Sequence, residues 1–355
     1  MKKVGQIAGP ASARSVSDRA IKPIAGRVVA KAAAGAGAPP HAAAAADGSR
    51  PLLQRLWEHR ENYLLILPMA ALVLIFSYVP MYGIVMAFKE YKMADGIFGS
   101  KWIGLLNFRK LFATSSFGTI MKNTLEISGL RLLFGFPAPV LLAILLNEVR
   151  HKPFKKTAQT ISYLPHFMSW VVLGGIFKNV LSPSSGAINY VITALGGQPV
   201  NFLNSNAWFR VVLIATGVWQ GIGWGSIVYL ATIAGIDPQL YEAARMDGAK
   251  RFRLIWNITL PMMFPVMSVL FILSVGGILN AGFDQIFNLY NPLVYSSADI
   301  LDTYVYRLGF GNASGDGRID YSLATAVGLF KNVVGLCLVV VTNFASKRLS
   351  GSGIW

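Results

Sequence analysis

A chain of 355 residues with 54% hydrophobic and only 14% charged side chains falls well below the roughly 25% charged content of soluble domains, which excludes an ordinary soluble globular fold. The 32 Lys and Arg outnumber the 16 Asp and Glu, giving a net charge of +16. The single cysteine, Cys337, excludes an intrachain disulfide and a cysteine-based metal cluster.

Residues 1–50 are dominated by Ala, Gly, Pro and Ser, with eight Lys or Arg against two Asp. Such a segment buries too little apolar surface to offset its ordering entropy, so it reads as a disordered cytoplasmic tail. It lacks the apolar run of a secretory signal. Its charge reads as solvated rather than as a nucleic-acid or lipid-binding arm, and no nucleic-acid partner is expected.

Residues 51–355 read as one transmembrane domain solvated by membrane lipid. Crossing a hydrocarbon core of roughly 30 Å takes about 20 apolar residues in a helix. Six segments qualify, at about 62–88, 122–147, 157–177, 211–236, 262–283 and 321–346. Strand-type alternation is absent, so the predicted fold class is an all-α membrane protein with six transmembrane helices. Span two carries Glu126 and Arg131, five apart, an awkward spacing for a direct helical pair. Each is left to face the bundle or the interface.

Orientation follows from the short loops, because Lys and Arg resist translocation. Arg150, Lys152, Lys155 and Lys156 follow span two; Arg245, Lys250, Arg251 and Arg253 follow span four; Lys347 and Arg348 follow span six. These segments are expected in the cytoplasm, with both termini. Lys89, Lys92, Lys101, Arg109 and Lys110 break the rule between spans one and two.

In span four, Trp219, Trp224 and Tyr229 are interfacial anchors or core side chains, with a sugar platform as the minority reading. Between spans four and five, "GIDPQLYEAARMDGAKRFRLIWNITLP" predicts a helix capped by Asp237 with Pro238 at its first position. Asp247-Gly248 ends it, Gly248 taking the left-handed conformation, and a second helix runs from about Lys250 to Pro261. Ala243 and Ala244 give the first helix a slim face for a partner's groove, while Glu242, Arg245 and Asp247 offer charge-assisted contacts at its rim. Asp284, Gln285, Asn288 and Asn291 cluster at the external end of span five, where they meet either sugar hydroxyls or water.

Lys331 lies near the middle of span six, beside Asn332. A lysine there costs roughly 2.5 to 3.5 kcal/mol on insertion. Either a carboxylate such as Glu126 compensates it, or it lines a wet translocation cavity and favours an acidic sugar such as a uronate. Catalytic and metal-binding readings are weak, because His41, His59, His151 and His166 have no two-His ligand spacing. No Gly-Lys-Ser/Thr occurs, so any ATP that drives this protein must be bound by another chain.

The pattern Glu242-Ala243-Ala244, three residues, Gly248, nine residues, Ile258, one residue, Leu260-Pro261 resembles the EAA signature of ABC importer membrane subunits. "FGFPAPVLLAILLNEVR", "YLPHFMSW", "FDQIFNLYNP" and the terminal "GSGIW" extend the resemblance to carbohydrate-uptake permeases of the LplB type, over about residues 52–355. It implies the ABC importer permease fold, with a cytoplasmic coupling helix around Tyr241 to Gly248 that docks into an ATPase. It further implies import of oligosaccharides or polysaccharide fragments across the inner membrane. The implied partners are a second, homologous permease, two cytoplasmic ATPase subunits that bind ATP and Mg, and an extracytoplasmic sugar-binding protein. This chain itself would bind no cofactor. The alternative is an ATP-independent carrier or channel, which would need an intramembrane carboxylate relay or repeats around broken helices.

Overall fold

The computed structural model describes residues 60–311 and 319–350. The predicted tail at 1–50, the terminal "GSGIW" and both chain ends lie outside the described residues. Contacts divide the chain into two units at Val79/Pro80. In the first, α1 (Arg60–Val73) runs into a π turn at Leu74–Tyr78, and no side chain is buried. An apolar helix exposed on every side requires an apolar solvent.

The second unit begins with a 3-10 stretch, then a two-residue ladder in which β1 (Lys89–Glu90) pairs antiparallel with β2 (Lys101–Trp102). Lys89 donates to the Ile97 carbonyl at 2.7 Å, so one of the lysines that break the charge rule ties its own loop together. The helix α2 (Leu106–Ala113) follows. Span two comprises α3 (Phe117–Gly135) and α4 (Pro137–Glu148). It starts earlier than the apolar run, because helix propagation does not stop where hydropathy falls.

Span three departs from expectation. Instead of one helix over 157–177 there are α5 (Lys152–Tyr163), a 3-10 turn at Leu164–Phe167 and α6 (Trp170–Val180), bent by 102°. Pro165 cannot donate a backbone hydrogen bond, Ser169 is extended, and its hydroxyl caps the new helix by accepting from Val172 N. Span four, α7 (Asn206–Ala234), is continuous, and the short α8 (Pro238–Met246) follows.

The predicted second helix at 250–261 is not a separate element but the root of span five. The short α9 (Arg251–Leu254), a π turn at Ile255–Thr259 and α10 (Leu260–Gly276) form one crossing from Arg251 to Gly276. The wide π turn precedes Pro261, whose ring would clash with a carbonyl in regular α geometry. A π turn also precedes Pro80. Span five ends before the predicted 283, and residues 277–311 fold back as a cover at the end opposite α8. The cover includes α11 (Phe283–Leu289) and α12 (Leu301–Phe310), and α13 (Tyr321–Ser350) supplies span six.

Among the described residues, five helices are long and apolar enough to cross a membrane, or six with the bent pair counted as one span. The cover is packed: Ile286, Leu289, Val294, Ala298 and Ile300 join Ile127 of α3 and Phe209 and Leu213 of α7 in one buried cluster. At the other end, Val140, Ala143, Tyr229, Ile233 and Met263 form a second. In lipid, such contacts hold through close packing rather than hydrophobic exclusion.

Candidate functional site

The charged insert folds into a finger. Asp237 caps α8, its carboxylate accepting from Gln239 N at 2.9 Å. At the far end Gly248 has φ +77°. Gly248 N donates to the Arg245 carbonyl at 3.0 Å and Ala249 N to the Ala244 carbonyl at 2.9 Å, the paired bonds of a left-handed helix stop. No side chain of α8 is buried, Ala243 is exposed, and Met246 is 89% exposed. The finger is anchored at its base, where the Tyr241 and Thr259 hydroxyls are hydrogen-bonded and Arg251 faces Glu148 at 3.9 Å. Leu260 packs against the buried cluster at this end, with Pro261 next to it, and Ile258 is half-buried.

Of the predicted polar cluster, the structure keeps one member at the centre. Gln285 is 1% exposed, and its amide donates to Leu213 O at 2.9 Å and Thr216 Oγ1 at 2.7 Å. Its carbonyl accepts from Arg131. Asp284 is exposed, and Asn288 bonds locally to the Asp284 carbonyl at 2.7 Å. Asn291 caps the next turn by accepting from Leu293 N at 3.0 Å, and it donates to Leu203 O at 3.1 Å. These three shape the cover and do not converge with Gln285.

The Glu126–Lys331 pair does not form. Lys331 is ion-paired with Asp302, because α12 lies along α13 and carries its first-turn acid to the level of the lysine. Glu126 instead meets Arg210 at 2.6 Å and Lys122 at 3.7 Å. Arg210 continues to Ser297 O at 3.2 Å and Asn123 Oδ1 at 3.0 Å. Lys331 is therefore neutralised, Asn332 is exposed, and Glu126 belongs to the seat of the cover. Within the cover Asp299 grips Arg307 at 2.5 and 2.7 Å. Burial pushes the nearby Tyr290 phenol up to about 12; Tyr295 adds to the shift, and Arg307 opposes it.

Two cavities of about 350 Å³ each lie beside Arg131. They share Arg131, Gly135, Pro139, Trp224 and Gly225 in their walls. Tyr229 borders one of them, yet at 3% exposure it is chiefly a core residue. Trp219 is half-exposed with its edge on Phe177. Trp224 stacks on His166, ring centroids 4.6 Å apart and planes within 5°. Sequence reasoning left Arg131, Ser128, His166 and Gln220 out of the candidate path. An unpaired arginine inside a span was the available signal, whereas the approach of His166 depends on the break in span three.

Polar residues enclosed within a bundle of apolar crossings and a protruding charged finger at one end are the parts of a membrane transport subunit. The chain belongs to the family of binding-protein-dependent transport system inner membrane components, whose model matches residues 135–351. It is a permease subunit without catalytic function. It is 46% identical over 304 residues to the polygalacturonan/rhamnogalacturonan transport system permease protein YteP of Bacillus subtilis, covering 86% of this chain and 93% of the relative. Identity to the LplB protein of the same organism is 43%, covering 82% and 90%. A crystal structure of a bacterial alginate ABC transporter, in complex with an alginate pentasaccharide-bound periplasmic protein, matches with a TM-score of 0.77 at 42% identity, covering 86% of this chain and all (100%) of that one.

Proposed function

We propose that this chain forms half of the translocation pathway of an ATP-driven importer of acidic polysaccharide fragments. The finger end faces the cytoplasm and the cover faces outward across the inner membrane. The observation that carries this reading is the α8 finger, closed by Gly248 and rooted directly in span five. With no buried residue of its own, it offers Ala243, Ala244 and Met246 to a groove and Glu242, Arg245 and Asp247 to the rim. An ATPase that closes on ATP and Mg would push this finger, and the push would enter span five through the short turn at 247–250 and the Tyr241–Thr259 hydrogen bond. The full assembly comprises a second, homologous permease, two ATPase subunits and an extracytoplasmic sugar-binding protein. The acidic substrate class is supported by relatives named for polygalacturonan, rhamnogalacturonan and alginate. Lys331 gives that class no support, because Asp302 neutralises it.

The test is uptake by the complete complex in proteoliposomes, with its binding protein and ATP, of galacturonate and alginate oligosaccharides against neutral oligosaccharides of equal length. ATP-dependent uptake of an acidic series is expected. Uptake without any co-purifying ATPase would favour a secondary carrier, and uptake confined to neutral sugars would remove the acidic class.

A further inference from the structure

We infer that Arg131, with Ser128 and His166, forms a station inside the translocation path that reads the carboxylate of a passing uronate. The inference rests on the acidic-oligosaccharide reading and adds the residues that enforce it. Three buried side-chain atoms lack a hydrogen-bond partner around one place: Ser128 Oγ, Arg131 Nε and His166 Nδ1. Ser128 lines the first of the two cavities, His166 lines the second, and Arg131 lines both. Buried polar atoms are rarely left orphaned, and several orphans on residues that line adjoining cavities point to a ligand that completes them.

The charge balance specifies that ligand. Among the described residues no acid lines either cavity. None lies within ion-pair distance of Arg131, whereas Lys122, Arg210, Arg251, Arg307 and Lys331 all have carboxylate partners. The guanidinium is held ready rather than satisfied. Gln285 takes one of its N–H groups, and Gly282, at φ +86° and without a side chain, leaves the space the guanidinium occupies. Nε remains unclaimed. A planar carboxylate matches the fork geometry of arginine, and the half-exposed Trp224 beside His166 offers a face to a sugar ring. Arg131 lies near the middle of the Phe117–Glu148 crossing, so only a molecule that enters the membrane interior reaches it. Because Gln285 already holds part of the guanidinium, the grip on each uronate is partial, as a site that must also release its cargo requires.

The experiment compares the complete complex carrying wild-type chain, Arg131→Gln, Arg131→Lys or His166→Phe. Its readout is the ratio of trigalacturonate uptake to uptake of the fully methyl-esterified trimer, with the same binding protein throughout. Losing a charge-assisted contact should lower this ratio about tenfold in Arg131→Gln, acidic uptake falling far more than ester uptake, with partial recovery in Arg131→Lys. His166→Phe keeps the aromatic stack and the Arg131–Gln285 bond, and should lower the ratio about threefold, because the ester carbonyl can accept the same bond and only the part due to the carboxylate's charge leaves the ratio. A parallel fall for both substrates, or an unchanged ratio in His166→Phe and in whichever Arg131 variants assemble, would overturn the station and leave Arg131 a structural residue. If the wild type itself does not import the acidic trimer, the substrate reading fails, and the station fails with it.

Discussion

The hydroxyls of Tyr241 and Thr259 lie 3.0 Å apart, joining the exposed helix of the finger to the π turn at the root of span five. Thr259 also donates to the Leu254 carbonyl at 3.4 Å, so Tyr241 serves as the donor between the two hydroxyls. Tyr241→Phe should remove a bond of about 1 kcal/mol and loosen the finger from the span. ATP hydrolysis and sugar uptake, measured together on assembled complexes, should diverge, with uptake falling severalfold more than hydrolysis. Parallel changes would show that this bond does not carry the coupling.

Gly248→Val places a β-branched residue where the backbone is left-handed. The local cost is about 1–2 kcal/mol, although the surrounding space is open. Insertion and abundance should stay near wild type while transport falls, and Gly248→Asn should be milder. Wild-type uptake by Gly248→Val at equal abundance would refute the requirement.

Lys331→Met leaves Asp302 without its partner, its side chain only 21% exposed. The expected loss is about 3 kcal/mol, near the lower end for broken buried pairs, seen as a lower melting temperature in detergent. The double variant Lys331→Met with Asp302→Leu should recover most of it. No recovery would mean that the lysine acts elsewhere.

Gly282→Ala puts a methyl where the Arg131 guanidinium lies and strains a left-handed residue. The guanidinium should shift off Gln285, and the ratio of acidic to esterified uptake should drop while the finger still couples ATPase and transport. A wild-type ratio would argue against the placement of Arg131.

How much the sequence revealed depended on the range of each interaction. The finger was legible because its determinants, Asp237, Pro238 and Gly248, act within a turn of themselves. The spans were legible because hydropathy is additive along a helix, although hydropathy alone could not place their ends. The break at Pro165 was visible as a residue but not as a 102° bend, since lipid-embedded helices often carry proline without breaking. The partner of Lys331 was out of reach: Asp302 meets it only because the cover folds back along span six. The same fold-back moved Gln285 from the expected external end of span five, open to sugar or water, to a buried position between α7 and Arg131.

The seat of the cover has a consequence for how such a protein can diversify. Asn123 donates to the carbonyls of Ser296 and Asp299, Arg210 Nε donates to that of Ser297, and Thr124 accepts from Leu301 N. Every one of these bonds takes hold of main chain. These four bonds survive any change of the side chains at Ser296, Ser297, Asp299 and Leu301 that keeps the path of the main chain. Cover positions held by their side chains, such as Gln285, Asp302 and the cluster around Ile286, are fixed by the helices beneath them, whereas an exposed position such as Leu293 can change without loosening the seat.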